Sequence, residues 1–114
     1  RQRQMCIRDS YIQRLVAATR PYNPDTDWKQ HSPSDLVETG VDLGASPRAI
    51  ICWSRLAKVW ALLQRGRAEV LPEDIQDLAP YVLGHRIWLG PHAAAHGLTA
   101  DEVIRDVIRH VPIP

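Results

Sequence analysis

The segment from Ser46 to Gly66 constrains the fold most, because it contains the start, the apolar stripe and the end of one long helix. Ser46 is a good N-cap residue, and proline suits the next position, where the helix uses no backbone N–H. Glycine is typical of a helix end. Apolar residues recur at intervals of four and three and predict a buried face. They are Ala49, Trp53, Leu56, Trp60 and Leu63, widened by Ile50, Ala57 and Ala61. The residues predicted to face water are Ser54, Arg55, Lys58 and Arg65.

Three further stretches show helical patterns. The first begins near Tyr11, with Ser10 as its cap, and ends at Arg20, because the proline that follows disfavours a helical residue before it. The second opens at Pro72 with acidic residues at the positive end of the helix dipole, and Pro80 is expected to split or bend it. The third begins at the capping box that Thr99 forms with Glu102 three residues later. Its predicted apolar face is Val103, Ile104, Val107, Ile108 and Val111.

The remaining segments predict little regular structure. Residues 21–45 form a long connection rich in proline and glycine, with one helical turn expected over 34–38, and residues 85–89 suit a short strand. We therefore predict an all-α fold, a small bundle of four to five helices with at most a minimal β pairing. Residues 1–10 lack apolar periodicity, so we interpret them as a non-native leader before one domain over 11–114.

Composition and missing motifs exclude several function classes. Fourteen Lys and Arg residues against thirteen Asp and Glu give a formal net charge of +1, too small a bias to indicate a nucleic-acid or membrane-surface protein. No apolar run is long enough to span a bilayer, and two cysteines fit a reducing compartment, so we expect a cytoplasmic location without membrane insertion. The glycine pair Gly40 and Gly44 is followed by no lysine, so the phosphate-cradling loop of a nucleotide hydrolase is absent. We expect no catalytic activity from this chain alone.

Arg48 is the residue that a purely structural interpretation explains least. It lies in the first turn of the longest predicted helix, where a cation is unfavourable by roughly 0.3–1 kcal/mol and a nearby phosphate reverses the sign. Backbone amides and a guanidinium can together bind one anion there. Two simpler alternatives stay open, because the side chain can also turn into solvent or pair with an Asp of the preceding loop.

Other residues with chemical potential have structural interpretations. His92 and His96 are four residues apart, but only alanines lie between them, so we interpret them as surface or capping histidines and predict no metal site. Arg65 and Arg67 are expected to bind carbonyls at a helix end. Cys52 is expected to be a small core residue without a redox function.

Two aromatic residues and one dipeptide complete the candidates. Trp53 and Trp60 are seven residues apart and are expected to pack in the core, with a partner-binding stripe as the alternative. For His85-Arg86 we weigh equally a structural hydrogen bond and a contact with a neighbouring subunit.

Seven short motifs follow one another along the chain. They are GASPRA (44–49), QRGR (64–67), VLPEDI (70–75), LAP (78–80), VLGHR (82–86), HGLT (96–99) and VPIP (111–114). Residues 11–20, YIQRLVAATR, precede them. In this order the segments resemble the C-terminal lid domain of MoxR-type AAA+ ATPases over nearly all of residues 11–114. The sequence departs from the family pattern at Leu71, where Thr or Ser is usual, and at Gly84, where a larger residue is common.

The resemblance implies a helical lid that follows a P-loop ATPase core of roughly two hundred residues, so the chain would be a fragment lacking that core. It implies that Arg48 is the sensor-2 residue, which contacts the terminal phosphates of ATP on the core and couples hydrolysis to lid motion. Expected cofactors are ATP and Mg²⁺, bound mainly by the core. Expected partners are the core, neighbouring subunits of a hexameric ring and client proteins with von Willebrand A domains, with no nucleic acid. Chaperone-like remodelling is the implied activity.

A second function class stays open. The helices predicted over 47–65 and 72–84 could belong to a free-standing interaction or DNA-binding module without ATPase activity. The near-neutral charge and the acidic start of the second helix argue against DNA. A DNA-binding protein would lose affinity steeply as salt rises, whereas an ATPase lid alone would bind neither DNA nor ATP appreciably.

Overall fold

A computed structural model describes residues 2–23 and 30–113, with side chains described from residue 8 onward. Within these residues the fold is mainly α-helical and contains one small antiparallel β pairing. The helices are α1 (Gln2–Ala18), α2 (Asp35–Gly40), α3 (Arg48–Arg65), α4 (Pro72–Leu83), α5 (Pro91–Ala95) and α6 (Ala100–His110). The strands are β1 (Val41–Leu43) and β2 (Trp88–Leu89). The described residues form six helices, whereas four to five were predicted. The count is higher because it includes two short helices, α2 with six residues and α5 with five.

Helix α1 begins earlier than the apolar pattern predicts. It begins at Gln2, so Ser10 lies inside the helix and the prediction that Ser10 caps it is wrong. A helix can continue through residues that lack apolar periodicity, because only the part that packs on the core needs an apolar face. That part supplies the fully buried Tyr11, Ile12 and Leu15. The foreign origin of residues 1–10 stays a prediction.

Helix α3 packs through a narrow stripe of mostly small residues. Ala49, Trp53, Ala57 and Ala61 recur every four residues and are fully buried. The prediction that Leu56 and Leu63 belong to this buried stripe is wrong, since these side chains are 41% and 74% exposed. Small side chains let the helix approach α1 and α4 closely, and this close approach turns the larger leucines away from the core.

The ends of α3 differ in how well the sequence predicts them. Ser46 makes no side-chain cap, contrary to prediction, and Pro47 is the N-cap residue with helical backbone angles. Gly66 ends the helix as predicted, in the left-handed conformation (φ 64°) that glycine adopts without strain. Its N–H donates to the carbonyl of Leu62 at 3.1 Å, and the N–H of Arg67 donates to that of Ala61 at 3.1 Å. The end of the helix is therefore fixed by local chemistry, whereas its start depends on tertiary contacts.

Helix α4 continues to Leu83 without a break, so of the two effects expected of Pro80, a split or a bend, the split does not occur. Pro80 is exposed, and on that side water can hydrogen-bond a carbonyl that lacks its helical partner. The opening of α4 at Pro72 agrees with prediction. The acidic Glu73 and Asp74 occupy its first turn, where the helix dipole favours negative charge.

The short strands and α6 complete the described fold. Strand β1 pairs antiparallel with β2, with Val41 opposite Leu89. The Thr99 hydroxyl accepts the N–H of Glu102 at 3.2 Å, which confirms the predicted start of α6. The inward face of α6 joins one hydrophobic core with α1, α3 and α4. No helix in the described ranges is long and apolar enough to cross a membrane.

Candidate functional site around Arg48

The turn before α3 is anchored on the end of α1. A Cβ atom at Gly44 would overlap the backbone carbonyl of Thr19, so only glycine allows this close approach. The next residue, Ala45, is fully buried and donates its N–H to the Thr19 hydroxyl at 3.0 Å. That hydroxyl in turn donates to the carbonyl of Val16 at 2.6 Å. These contacts fix the position at which α3 begins, three residues further along the chain.

Arg48 is the first residue of α3, and its side chain is exposed. Within the described parts of the chain no carboxylate lies within ion-pair distance of its guanidinium. The described residues therefore offer Arg48 no Asp partner. Of the two simpler alternatives, the one that agrees with the structure is a side chain turned into solvent. The amides contribute less than expected, since the N–H groups of Ala49 and Ile50 already donate to Ser46 and Pro47. An anion at this helix start would be bound mainly by the guanidinium.

The other end of α3 is fixed by ion pairs with the start of α4. Arg65 contacts Asp77 at 2.9 Å and Asp74 at 3.1 Å, and Arg67 contacts Asp74 at 3.4 Å. The prediction that these arginines bind helix-end carbonyls is therefore wrong, because carboxylates from the next helix lie within reach. The hydrogen bond to Asp77 raises the pKa of Arg65 above its usual value, and desolvation opposes the rise.

Asp74 is the centre of these ion pairs. It is fully buried, and besides the two arginines it accepts the N–H of Leu71 at 2.8 Å. Buried carboxylates require such pairing, because an unpaired charge in the core is costly. Leu71 stands where the resembled family usually has Thr or Ser and has no side-chain oxygen to cap α4, so only the half of a capping box that Asp74 supplies is formed.

The histidines do not join Arg48 in one site. His92 and His96 are exposed on and after α5, and the Nδ1 atom of His96 lies 2.8 Å from the carbonyl of His92, as expected for a surface or capping pair. Arg86 donates from Nε to the carbonyl of Val82 at 3.0 Å, the structural bond that was one of two alternatives, while His85 is exposed. Over residues 2–23 and 30–113 no three or more His, Cys, Asp or Glu side chains cluster as metal ligands would.

Trp53, Trp60 and Cys52 of α3 differ in how deeply they are buried. Trp53 is fully buried and donates its indole N–H to the carbonyl of Ile75 at 3.0 Å, which confirms a core role. Trp60 packs against the same core but is half-buried. Cys52 carries a free, half-buried thiol, so it is less enclosed than a core residue.

Sequence reasoning missed the part that Thr19 plays. Thr19 falls at helical spacing on the same face as Ile12, Leu15 and Val16, and its hydroxyl holds the turn on which Arg48 depends. The signal was present, because a Thr at a fully buried position must satisfy its hydroxyl. A second missed feature is a groove of about 300 Å³ between α1 and α3, lined in part by Asp9, Ile51, Arg55 and Lys58.

Comparisons with known proteins agree on one family. Residues 34–107 match the family model of the AAA lid domain. The chain is 42% identical to the uncharacterized protein YeaC of Bacillus subtilis over 74 residues, which is 65% of this chain and 23% of that protein. It is 38% identical to Chaperone MoxR1 of Mycobacterium tuberculosis over 104 residues, 91% of this chain and 26% of that protein.

A third relative and a solved structure are also similar to this chain over part of their length. Protein MoxR of Methylorubrum extorquens is 36% identical over 83 residues, 72% of this chain and 24% of that protein. A crystal structure from Cytophaga hutchinsonii, of a protein provisionally assigned as an ATPase, is similar with a TM-score of 0.79 and 34% identity. This similarity covers 95% of the present chain and 30% of the other. The chain thus spans about a quarter of the length of the curated relatives it matches.

Proposed function

The chain belongs to the AAA lid domain family, and we propose that it is the nucleotide-sensing lid of a MoxR-type AAA+ ATPase in which Arg48 contacts the terminal phosphates of ATP. The observation that carries this proposal is the state of Arg48. It is an exposed guanidinium at the start of the longest described helix, without a carboxylate partner among the described residues. Such a group favours a phosphate oxygen, because a charge-assisted bond can form without first breaking an internal ion pair.

The guanidinium of Arg48 has the donors to bind a phosphate oxygen. Arg48 supplies cationic N–H donors, while the described residues contain no cluster of oxygen or nitrogen ligands for Mg²⁺. In this proposal ATP and Mg²⁺ are held mainly by an ATPase core, where Mg²⁺ neutralises phosphate charge. The part of Arg48 is to bind and orient a terminal phosphate oxygen from the lid side.

Contact with that phosphate would couple nucleotide state to lid position. When the phosphate is present, the guanidinium draws the start of α3 towards the core, and its loss on hydrolysis removes the contact. Because Gly44 and Ala45 tie the start of α3 to α1, a displacement of Arg48 displaces two helices together. Lid rotation as a unit is the expected consequence.

The wider assignments follow the same proposal. The parent protein would act in the cytoplasm as a chaperone-like ATPase, with the lid packed on its core and on a neighbouring subunit of a hexameric ring. Client proteins with von Willebrand A domains belong to this proposal. What supports it is the similarity to proteins named MoxR and Chaperone MoxR1.

The test is the change Arg48→Ala in an intact ATPase that contains this segment. We expect ATP turnover to fall about 100-fold or more, because removing one donor to a transferring group typically costs roughly 3–4 kcal/mol of transition-state stabilisation. Arg48→Lys should recover only part of the rate, since an ammonium lacks the planar fork of donors. Arg109→Ala is the matched control, because Arg109 is also an exposed arginine, on α6.

Unfolding temperature measured in parallel separates function from folding. Both Arg48→Ala and Arg109→Ala should unfold within a few degrees of the unchanged protein, because neither side chain is buried. Turnover that stays unchanged in Arg48→Ala would remove the sensor assignment.

A further inference from the structure

Two histidines of the short helix α5 lie against each other. His92 is on α5 and His96 is its C-cap residue, four positions later, a spacing at which side chains meet on one side of a helix. Their ring centroids are 4.3 Å apart, with an angle of 48° between the ring planes. Both side chains are exposed, and among the described residues no carboxylate pairs with either ring. The two imidazoles are therefore open to a ligand from solvent.

The hydrogen bonding of His96 determines which of its nitrogens can bind a metal. Its Nδ1 atom lies 2.8 Å from the backbone carbonyl of His92. Because a carbonyl only accepts hydrogen bonds, the proton of the neutral ring is on Nδ1, and the lone pair is then on Nε2. Metal-binding histidines in proteins commonly donate their second ring N–H to a carbonyl in this way, which orients the ring and raises its basicity. The contact that makes His96 a capping residue thus also leaves its Nε2 atom ready for a metal ion.

The helix that carries this pair is held in place. The carbonyl of His92 also accepts the backbone N–H of His96 at 3.2 Å, so both the backbone and the ring of His96 are tied to His92. At the start of α5, the Gly90 N–H donates to the carbonyl of Gly40 at 2.8 Å. Ala93 packs so near Gly40 that a Cβ atom there would lie 3.4 Å from its side chain. Ligands on such a support lose little conformational freedom when they bind.

The separation of the rings fits one geometry of metal coordination. A metal–nitrogen bond of about 2.0–2.1 Å, with about 1.1 Å more to the ring centre, places each centroid about 3.2 Å from the ion. Two such ligands at 90° have centroids about 4.5 Å apart, against about 5.2 Å at the tetrahedral angle. The observed 4.3 Å is close to the first value. Square-planar and tetragonal sites with nitrogen and oxygen ligands are typical of Cu²⁺ and Ni²⁺.

We propose that His92 and His96 form a binding site for Ni²⁺ or Cu²⁺, with water at the remaining coordination positions. Among the described residues no third His, Cys, Asp or Glu side chain joins them, so the site is open and differs from a closed structural zinc site. Spacing alone predicts no metal here, because it shows neither the ring contact nor the nitrogen that carries the proton. The site goes beyond the proposed function, since it needs neither ATP nor an ATPase core.

Ni²⁺ is the probe, because the free thiol of Cys52 does not reduce it. Isothermal titration calorimetry of the complete, untagged 114-residue chain should show one Ni²⁺ ion bound per chain. His92→Ala and His96→Ala should each raise Kd at least about tenfold, because the second imidazole of a pair binds at a high effective concentration. His85→Ala is the matched control, since this exposed histidine lies outside the pair and its loss should leave Kd unchanged.

A second control keeps two histidines and changes only their spacing. Ala94→His combined with His96→Ala places the histidines two positions apart, where side chains do not face each other on a helix. This exchanged variant has the composition of the unchanged chain and should bind Ni²⁺ as weakly as His96→Ala. Ni²⁺ should raise the Tm of the unchanged chain more than that of the exchanged variant, because an ion bound to the folded helix stabilises it.

Nuclear magnetic resonance identifies the ligands directly. Paramagnetic Ni²⁺ below one equivalent should broaden or shift the imidazole signals of His92 and His96 and leave those of the other three histidines unaffected. Equal affinity of the unchanged chain and the exchanged variant would overturn the proposal, as would the absence of binding by the unchanged chain. Equal broadening of all five histidines would also overturn it and indicate an adventitious ion only. Arg48→Ala should leave Ni²⁺ binding unchanged, so failure of this site leaves the proposed function as it stands.

Discussion

The anchor beneath the start of α3 can be tested by removing a single hydroxyl, with Thr19→Val. Thr19 is fully buried, and valine keeps nearly the same volume, so the change creates no cavity. The hydroxyl accepts the N–H of Ala45 and donates to the carbonyl of Val16. Val16 keeps the backbone N–H of Thr19 as a donor at 3.1 Å, so its carbonyl stays paired. The loss therefore falls on the buried N–H of Ala45.

A buried donor left without an acceptor costs about 1–3 kcal/mol. For a domain of this size each kcal/mol corresponds to roughly 4–8 °C in Tm. We therefore expect Tm to fall by about 5–20 °C in Thr19→Val. The measurement is thermal unfolding of the 114-residue chain followed by circular dichroism, with ΔH taken from the same curves.

Thr39→Val is the matched control for this change. The Thr39 hydroxyl also donates to a carbonyl, that of Asp35 at 2.8 Å, but the residue is exposed on α2. Water can replace the lost bond there, so the change in stability should stay within about 0.5 kcal/mol. Equal Tm values for the two variants would refute the idea that Thr19 anchors the start of α3.

Two further predictions concern the helices. Thr99→Ala should lower the free energy of unfolding by about 0.5–2 kcal/mol through loss of the cap on Glu102, and chemical denaturation measures it. An unaltered denaturation midpoint would contradict the start assigned to α6. Leu63→Ala should change stability by less than about 0.5 kcal/mol, since the side chain is 74% exposed, whereas Trp53→Ala should cost about 3–5 kcal/mol. Similar losses in both variants would instead support the buried face expected from the sequence.

The helices that the sequence predicts well are those whose ends have local signals. Gly66 adopts its left-handed conformation and Thr99 caps its helix because both effects involve residues within one turn. Ser46 failed as a cap for a tertiary reason. Gly44 and Ala45 hold the preceding turn against Thr19, and the chain then enters the helix at Pro47 with helical angles. A contact between residues 26 positions apart leaves no trace in a local pattern.

The buried face of α3 shows a second limit of prediction from the sequence. Spacing alone allows a buried series that contains Leu56 and Leu63 or one that contains Ala57 and Ala61. Both are allowed because Leu56 and Ala57 are adjacent positions on the helix. Hydrophobicity favours the leucines, whereas close packing against two neighbouring helices favours small side chains. The structure buries Ala57 completely and leaves Leu56 41% exposed. Choosing between the two series requires knowing how near α1 and α4 approach.

The candidate site was predictable only in part. Arg48 was found because a cation in a first helical turn conflicts with the helix dipole, and the structure places it there, exposed. The ion pairs of Arg65 and Arg67 with Asp74 were missed, because they join the end of α3 and the segment after it to α4 across a turn whose path the sequence leaves open. Local electrostatics thus identifies an unsatisfied charge, while the partner of a satisfied one requires the fold.

The two ends of α3 together explain why a contact at Arg48 can move more than one side chain. At the start, Gly44 and Ala45 tie the helix to α1, and at the end the buried Asp74 ties it to α4 through Arg65 and Arg67. Between them the alanine stripe packs closely and leaves little room for α3 to slide. Under the proposed function, we therefore expect a displacement of the guanidinium to reach α1 and α4 instead of being absorbed by local bending. Weakening either tie, by Thr19→Val or by Asp74→Asn, should then reduce the proposed coupling between phosphate contact and lid rotation even where Arg48 itself is unchanged.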